Sequence, residues 1–110
     1  MAALSRRTVL AGAFGSIGLP RAFANDVPLK IVFPFAAGGA ADSLVRMLAE
    51  ELHSRLGQSV VVETRAGAGG RSGVQAVVDA PPDGATVLFV PSATITLQPH
   101  LYAALGYDPF

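Results

Sequence analysis

The sequence contains no cysteine and only one lysine, Lys30, among its 110 residues. The absence of cysteine excludes disulfides, thiol catalysis, zinc–thiolate sites and a lipidated cysteine near the N-terminus. Because no glycine directly precedes Lys30, a phosphate-binding loop of the P-loop type is excluded as well. Long hydrophobic runs are also missing, since the apolar run Val9–Leu19 is too short for a membrane-spanning helix.

The N-terminus has the features of a secretory signal peptide. Arginines 6 and 7 precede the apolar run Val9–Leu19, and Ala22-Phe23-Ala24 is a small-x-small cleavage site. We therefore predict a signal peptide over residues 1–24, with cleavage after Ala24. The order Ser5-Arg-Arg-Thr-Val-Leu10 resembles a twin-arginine export signal, and Arg21 suits that route. An ordinary secretory signal with two arginines is the alternative.

Removal of residues 1–24 changes the charge balance. Residues 25–110 carry five basic and eight acidic side chains, because three of the arginines belong to the signal. A net negative domain of this size argues against nucleic acid or an anionic membrane as partner. We predict a soluble periplasmic protein without direct membrane insertion.

The chain after the signal begins with a buried strand and a glycine turn. The stretch Lys30–Phe35 is continuously apolar and rich in β-branched and aromatic residues, which predicts a strand covered on both faces. Pro34 marks its end. The turn Ala36–Ala41 follows, and Asp42 or a neighbour is expected to cap the next helix.

Hydrophobic periodicity predicts a helix after this turn. The spacing of its apolar residues forms one stripe, and Gly57 ends the helix as a left-handed C-terminal residue. The stripe consists of Leu44, Val45, Leu48, Leu52 and Leu56.

The remaining chain predicts two further strands and a short helix, joined by turns. The order β-α-β-α-β with short connections implies an α/β fold with a parallel sheet. The predicted segments are the strand Val60–Glu63, the loop Thr64–Gly73, the helix Val74–Val78, the turn Pro81–Gly84, the strand Thr86–Val90, the exit loop Ser92–Thr96 and a helical turn within Pro99–Leu105.

Three loops are expected to meet beyond the carboxyl ends of the strands, where ligands bind in such sheets. They are Ala36–Ala41, Thr64–Gly73 and Pro91–Thr96, and all are rich in small residues. The first leads into a helix N-terminus, whose free N–H groups and partial positive charge can hold an anion. A tight connection without a ligand is the alternative interpretation.

Other recognisable sites are absent from the sequence. The loop Gly67–Gly73 has Ser72 where a dinucleotide-binding GxGxxG would need glycine, and Val74 where a nucleophile elbow would need it. His53 and His100 have no metal-binding spacing. We therefore expect no catalytic residues, no metal and no cofactor.

Several segments resemble one family, the substrate-binding proteins of tripartite tricarboxylate transporters, also called Bug receptors. The first is Ile31-Val-Phe-Pro-Phe-Ala-Ala-Gly-Gly-Ala-Ala-Asp42. The others follow in the family's order over essentially all of the chain after the signal. They are Leu56–Glu63, Arg65–Gly70, Pro82–Leu88, Pro99–Tyr102 and Tyr107–Pro109.

The resemblance implies a periplasmic solute receptor rather than an enzyme, with two α/β domains of the type II-like periplasmic binding protein fold. Residues 25–110 would form the first half of domain 1. The implied partners are a small carboxylate ligand and the subunits of a membrane transporter. Carried over by motif, the residues at the carboxylate would be Phe35, Ala37, Gly38, Gly39 and Asp42, with Gly69, Ser92 and Thr94 lining the same cleft.

Departures from the family pattern leave the ligand open. Ala37 stands where the family often has proline, and Ala40-Ala41 replaces a Gly-Thr pair before Asp42. The loss of that threonine removes a possible hydroxyl contact. Two alternatives to a receptor remain at this point: a periplasmic α/β enzyme, such as a hydrolase or decarboxylase, and a non-functional gene remnant.

Length leads to a testable expectation. The resemblance implies proteins of roughly 300 residues, about two domains, so we interpret the 110 residues as an N-terminal fragment. Three strands with open edges and uncovered apolar helix faces are marginal alone. We predict that the isolated chain aggregates or binds its ligand weakly. A cooperative thermal melt together with micromolar carboxylate binding in calorimetry would contradict this prediction.

Overall fold

Strand β1, Leu29–Phe33, lies at the centre of a three-stranded parallel sheet in the computed structural model, which describes residues 27–109. It pairs with β2, Val60–Thr64, on one side and with β3, Thr86–Leu88, on the other. The sheet order is therefore β2-β1-β3. This confirms the predicted β-α-β-α-β arrangement, whereas the predicted signal peptide lies outside the described residues.

The central position of β1 explains its apolar sequence. Ile31, Val32 and Phe33 are each only 1% exposed, because both edges are paired and both faces are covered. The strand ends at Phe33, two residues before the predicted end, since Pro34 has no N–H for the ladder.

Helix α1, Ala40–Leu56, follows the first turn. Its N-cap is Gly39, and no side chain forms a capping hydrogen bond there. Asp42 therefore lies in the first helical turn, and the cap position belongs to a neighbour, Gly39, which was the second predicted possibility. The helix ends as predicted at Gly57, whose φ of 66° is left-handed and whose N–H donates to the His53 carbonyl.

The buried face of α1 differs from the predicted leucine stripe. Val45 and Ala49 pack against Ile31 and Phe33, and Leu52 adjoins this core. The prediction was wrong for Leu44, Leu48 and Leu56, which are largely exposed. The buried face therefore keeps Val45 and Leu52 of the predicted stripe and adds the small side chain of Ala49.

Helix α2, Arg71–Val78, begins three residues before the predicted Val74 and ends as expected at the cap residue Asp79. It contacts β1 and β3. Gly73 allows this contact, because a Cβ there would lie 2.5 Å from Pro34 Cβ. The segment Ala68–Gly70 before it forms a short 3₁₀ turn where a loop was predicted.

The chain after α2 contains the predicted turn and a shorter third strand. In the turn, Gly84 has φ of 78°, and Asp83 Oδ1 accepts a hydrogen bond of 2.8 Å from the Ala85 N–H. Strand β3 ends at Leu88 instead of Val90.

A short helix replaces the predicted exit loop, and a second one overlaps the predicted helical turn. Helix α3, Ser92–Thr96, starts after Pro91, whose side chain fixes the extended-to-helix entry with φ of −60°. Helix α4, Gln98–Leu101, is the predicted helical turn, and it begins one residue before Pro99. The prediction of a loop at Ser92–Thr96 was wrong, because a five-residue helix is too short to produce a recognisable hydrophobic periodicity in the sequence. Across residues 27–109, no helix has the length and apolarity needed to cross a membrane.

Candidate functional site

The loops at the carboxyl ends of the three strands meet around Gly70, as predicted. A Cβ at Gly70 would lie 3.4 Å from both Phe35 Cζ and Thr94 Cγ2. Phe35 follows β1, Gly70 follows β2 and Thr94 follows β3, so each strand contributes one contact. Since β1 separates β2 from β3, this edge is also the point where the strand order reverses, the usual ligand position in such sheets.

The N-terminus of α1 presents backbone donors at this edge. The first backbone donor bonded within the helix is the Ser43 N–H, which donates to the Gly39 carbonyl at 3.1 Å. The N–H groups of Ala40, Ala41 and Asp42 precede it and have no acceptor within the helix. Because no side chain caps this end, these donors favour an anion.

Asp42 organises the turn that leads into the helix. Its side chain is 8% exposed, and its Oδ2 accepts hydrogen bonds from Arg46 Nε at 3.0 Å and from the Gly38 N–H at 3.1 Å. The Arg46 hydrogen bond and then the Gly38 hydrogen bond hold the pKa of Asp42 below the usual range of aspartate. Asp42 is therefore ionised and forms an ion pair with Arg46.

Asp42 acts on the turn itself. Its carboxylate fixes the Gly38 peptide by accepting the Gly38 N–H, and Gly38 has the left-handed φ of 91° that glycine readily adopts. Its other oxygen, Oδ1, is buried without a hydrogen-bond partner among the described residues.

The turn after β2 is left-handed over four consecutive residues. The φ angles are 144° at Gly67, 49° at Ala68, 64° at Gly69 and 93° at Gly70. Three glycines adopt such angles at little cost, whereas Ala68 is strained there. Ser72 Oγ donates to the Gly67 carbonyl at 3.2 Å and adds a local tie.

The segment after β3 contributes a buried polar residue that sequence reasoning did not assign to the site. Gln98 is only 9% exposed, and its Nε2 donates to the Gly69 carbonyl at 2.7 Å. The Tyr107 hydroxyl donates to Gln98 Oε1 at 3.0 Å. No local pattern could have revealed this contact, because Gln98 and Gly69 are 29 residues apart in the sequence.

An apolar cavity of about 410 Å³ opens beside the start of α1. Phe33 and Phe35 have ring centroids 5.7 Å apart, and Phe33 and Phe89 lie 6.2 Å apart. Polar surface is scarce in this cavity. The lining residues are Phe33, Phe35, Ala41, Phe89, Val90 and Pro91.

The predicted site residues divide by their environment. Phe35 lines the cavity, Thr94 is buried beside Gly70, and Gly69 is bonded to Gln98. The turn residues and Ser92 are exposed at the same edge, and Asp42 is buried beneath the turn. The exposed group consists of Ala37, Gly38, Gly39 and Ser92.

A second concave surface, of about 350 Å³, lies beside β1, β2 and α2 and is charged. Lys30 Nζ lies 2.9 Å from Glu63 Oε2, and Arg65 also pairs with Glu63. The hydrogen bond from Lys30, followed by that from Arg65, lowers the pKa of Glu63. With Asp79 also in its wall, this surface has balanced charge and no excess of either sign.

The described residues hold no group of three or more histidine, cysteine, aspartate or glutamate side chains that could bind a metal. His53 is engaged locally, with Nδ1 at 2.7 Å from the Gln58 carbonyl.

Comparison with known proteins identifies the family. Residues 44–110 match the family described as tripartite tricarboxylate transporter family receptor. The chain belongs to this receptor family. A UPF0065 protein of Bordetella bronchiseptica is 34% identical over 108 residues, which cover 96% of this chain and 32% of that protein. The chain thus spans about a third of the length of this curated relative.

Solved structures of similar proteins include a periplasmic binding protein and two proteins with bound dicarboxylates. The periplasmic binding protein BugD is 44% identical with a TM-score of 0.70, covering 76% of this chain and 27% of its own. MatC from Rhodopseudomonas palustris with bound malate is 34% identical with a TM-score of 0.69, and the match covers 74% of this chain and 28% of MatC. An R. palustris protein with adipate is 33% identical with a TM-score of 0.69, and the match covers 74% of this chain and 27% of that protein. The sheet and its helices therefore form part of a Bug-type α/β domain.

The ionised state of Asp42 predicts a pH-dependent stability. Because its pKa is lowered on folding, the carboxylate stabilises the fold above the pKa of unfolded aspartate, and this stabilisation is lost as the pH falls. We expect Asp42→Asn to lower the urea midpoint at pH 7, and we expect this effect to shrink progressively as the pH falls below about 4. Circular dichroism between pH 3 and pH 7 measures these midpoints.

Glu63 provides the control, because hydrogen bonds from Lys30 and Arg65 lower the pKa of this second carboxyl too. The Glu63→Gln variant should keep the Asp42-dependent part of the pH profile. Equal midpoints for Asp42→Asn and the unaltered chain at every pH would contradict the assignment.

Proposed function

We propose that the chain is the ligand-capturing part of a periplasmic receptor that delivers a small carboxylate to a tripartite tricarboxylate-type transporter. The observation that carries the proposal is the uncapped N-terminus of α1 beside an apolar cavity. Backbone N–H groups of residues 40–42 bind the carboxylate, and the cavity takes the carbon skeleton. The malate and adipate seen with two similar structures support this chemical class.

The proposed contacts follow the loops at the carboxyl ends of the strands. The turn Ala37–Gly39 surrounds the carboxylate, with Phe35 against the carbon skeleton. Asp42 holds the turn from below, and Gly69, Ser92 and Thr94 border the cleft. In this proposal the receptor releases its ligand chemically unchanged. The description of the family as a receptor family supports this point.

We further propose that residues 1–24 direct export through the twin-arginine route and are removed after Ala24. Arginines 6 and 7 and the small residues before the cleavage position support this proposal.

Replacing both arginines by lysine tests the route. We expect the double variant Arg6→Lys/Arg7→Lys to stay in the cytoplasm, because the twin-arginine machinery reads the guanidinium pair, whereas the general secretory route needs only positive charge. Cell fractionation with mass spectrometry of the product measures export and the new N-terminus. Normal export of the variant would contradict the twin-arginine route, and a terminus other than Asn25 would contradict the cleavage position.

Proline at residue 40 tests the anion site, because Ala40 is the first residue of α1, where proline is tolerated but donates no N–H. Its neighbour Gly39 is extended, with ψ of 174°, as the residue before proline requires. We expect Ala40→Pro to weaken adipate binding about tenfold, as for the loss of one hydrogen bond to a charged group. Nuclear magnetic resonance titration of the ¹⁵N-labelled chain measures weak binding.

The controls separate charge from packing. Met47→Ala changes an exposed side chain of the same helix and should bind adipate like the unaltered chain. Adipate dimethyl ester should not bind, because it has no carboxylate. Unchanged adipate affinity in Ala40→Pro would rule out the α1 N-terminus as the anion site.

A further inference from the structure

The strained turn Gly67–Gly70 requires something to hold it. Ala68 is the one non-glycine residue with positive φ among the described residues. Such a conformation persists only when surrounding contacts determine it, and it often occurs at ligand sites. The turn also faces Phe35 and Thr94, so its shape sets one wall of the cleft.

Local contacts fix only part of this turn. The Gly70 N–H donates to the Gly67 carbonyl at 2.9 Å, and Arg71 Nε donates to the Ala68 carbonyl at 3.0 Å. The Gly69 carbonyl, in contrast, accepts its hydrogen bond from the distant Gln98 side chain. The Gly69–Gly70 peptide is therefore bonded at both its carbonyl and its N–H, and it cannot flip without losing both bonds.

The Gln98 side chain is itself fixed. The Tyr107 hydroxyl donates to Oε1, which directs the amide nitrogen to the Gly69 carbonyl. The backbone of the same segment is tied as well, because the Tyr102 N–H donates to the Gln98 carbonyl at 3.1 Å. A second contact joins this segment to the turn, since the Arg71 guanidinium lies 4.1 Å from the centroid of the Tyr102 ring.

We propose that Gln98 is a positioning residue that holds the turn Gly67–Gly70 in the conformation that receives the ligand. Gln98 acts on the ligand through the Gly69–Gly70 peptide and does not bind it directly. Tyr107 supports this role by orienting the Gln98 amide. The inference rests on the proposed carboxylate site, but the conformation of the turn can be measured without ligand.

Methionine at residue 98 is the informative substitution, because it keeps the length of glutamine and removes the amide. Without ligand, we expect Gln98→Met to increase the hydrogen-exchange rate of the Gly70 N–H about fivefold, as for the loss of one supporting hydrogen bond. Tyr107→Phe should increase it less, because it removes only the hydroxyl. Gln75→Ala is the matched control, since it removes the amide of a half-buried glutamine that donates to Asp79 within the α2 segment.

Adipate titration of the same variants measures the consequence for binding. At equal folded fraction in circular dichroism, we expect Gln98→Met to bind adipate about fivefold more weakly and Gln75→Ala to bind it normally. Normal Gly70 exchange and normal affinity in Gln98→Met would overturn the proposal. So would a loss of affinity shared by Gln75→Ala, because that loss would reflect stability alone.

Two further outcomes remain decisive. If Gln98→Met does not fold, Tyr107→Phe decides, and an unchanged Gly70 exchange rate in that variant overturns the proposal. If the unaltered chain binds neither adipate nor malate, the proposed function fails, and the exchange rates alone decide whether Gln98 holds the turn.

Discussion

The whole arrangement depends on one strand that is hidden on every side. Ile31, Val32 and Phe33 are buried because β1 pairs with a parallel strand at each edge and meets helices at both faces. Parallel pairing places the carboxyl ends of all three strands at one edge. The loops of the candidate site meet there because of the sheet, although they are far apart in the sequence.

The negative charge of Asp42 is paired at this edge, which is compatible with the proposed anion site. Asp42 occupies the positive end of α1 with a carboxylate of its own, which alone would oppose a second one. Arg46, one helical turn later, forms an ion pair with the Asp42 carboxylate, and the Gly38 N–H donates a hydrogen bond to the same oxygen. The N–H groups of the first turn of α1 have no acceptor within the helix, while the Asp42 carboxylate holds the preceding turn in its conformation.

Local chemistry made much of the fold predictable. A continuous apolar run specified β1, and Gly57 ended α1 because glycine readily adopts the left-handed conformation found there. The buried face of α1 could not be read in the same way. Leucines are the largest apolar residues of that helix, but the close contact with the sheet falls on Val45 and Ala49. Periodicity locates a stripe, whereas the fit of small side chains decides which part of it is buried.

The candidate site was predictable where it is built from loops and not where it depends on long-range contacts. Small residues after each strand pointed to the three loops, and the family resemblance singled out Phe35, Gly69 and Thr94 within or beside them. Gln98 gave no such signal, because a buried amide becomes recognisable only once its distant partner is known.

Pro34 and Gly73 show how one layer of the fold is coupled to the next. The end of the central strand and the second helix touch at a place where even a methyl group would collide with the proline ring. The sheet and the helix can approach this closely because Gly73 has no Cβ. Gly73 lies three residues after Gly70, so the same contact sets how far the left-handed turn can stand from the sheet. The Pro34 ring, whose Cγ would lie 3.7 Å from a Cβ at Gly70, therefore limits the position of the turn as well as that of the helix.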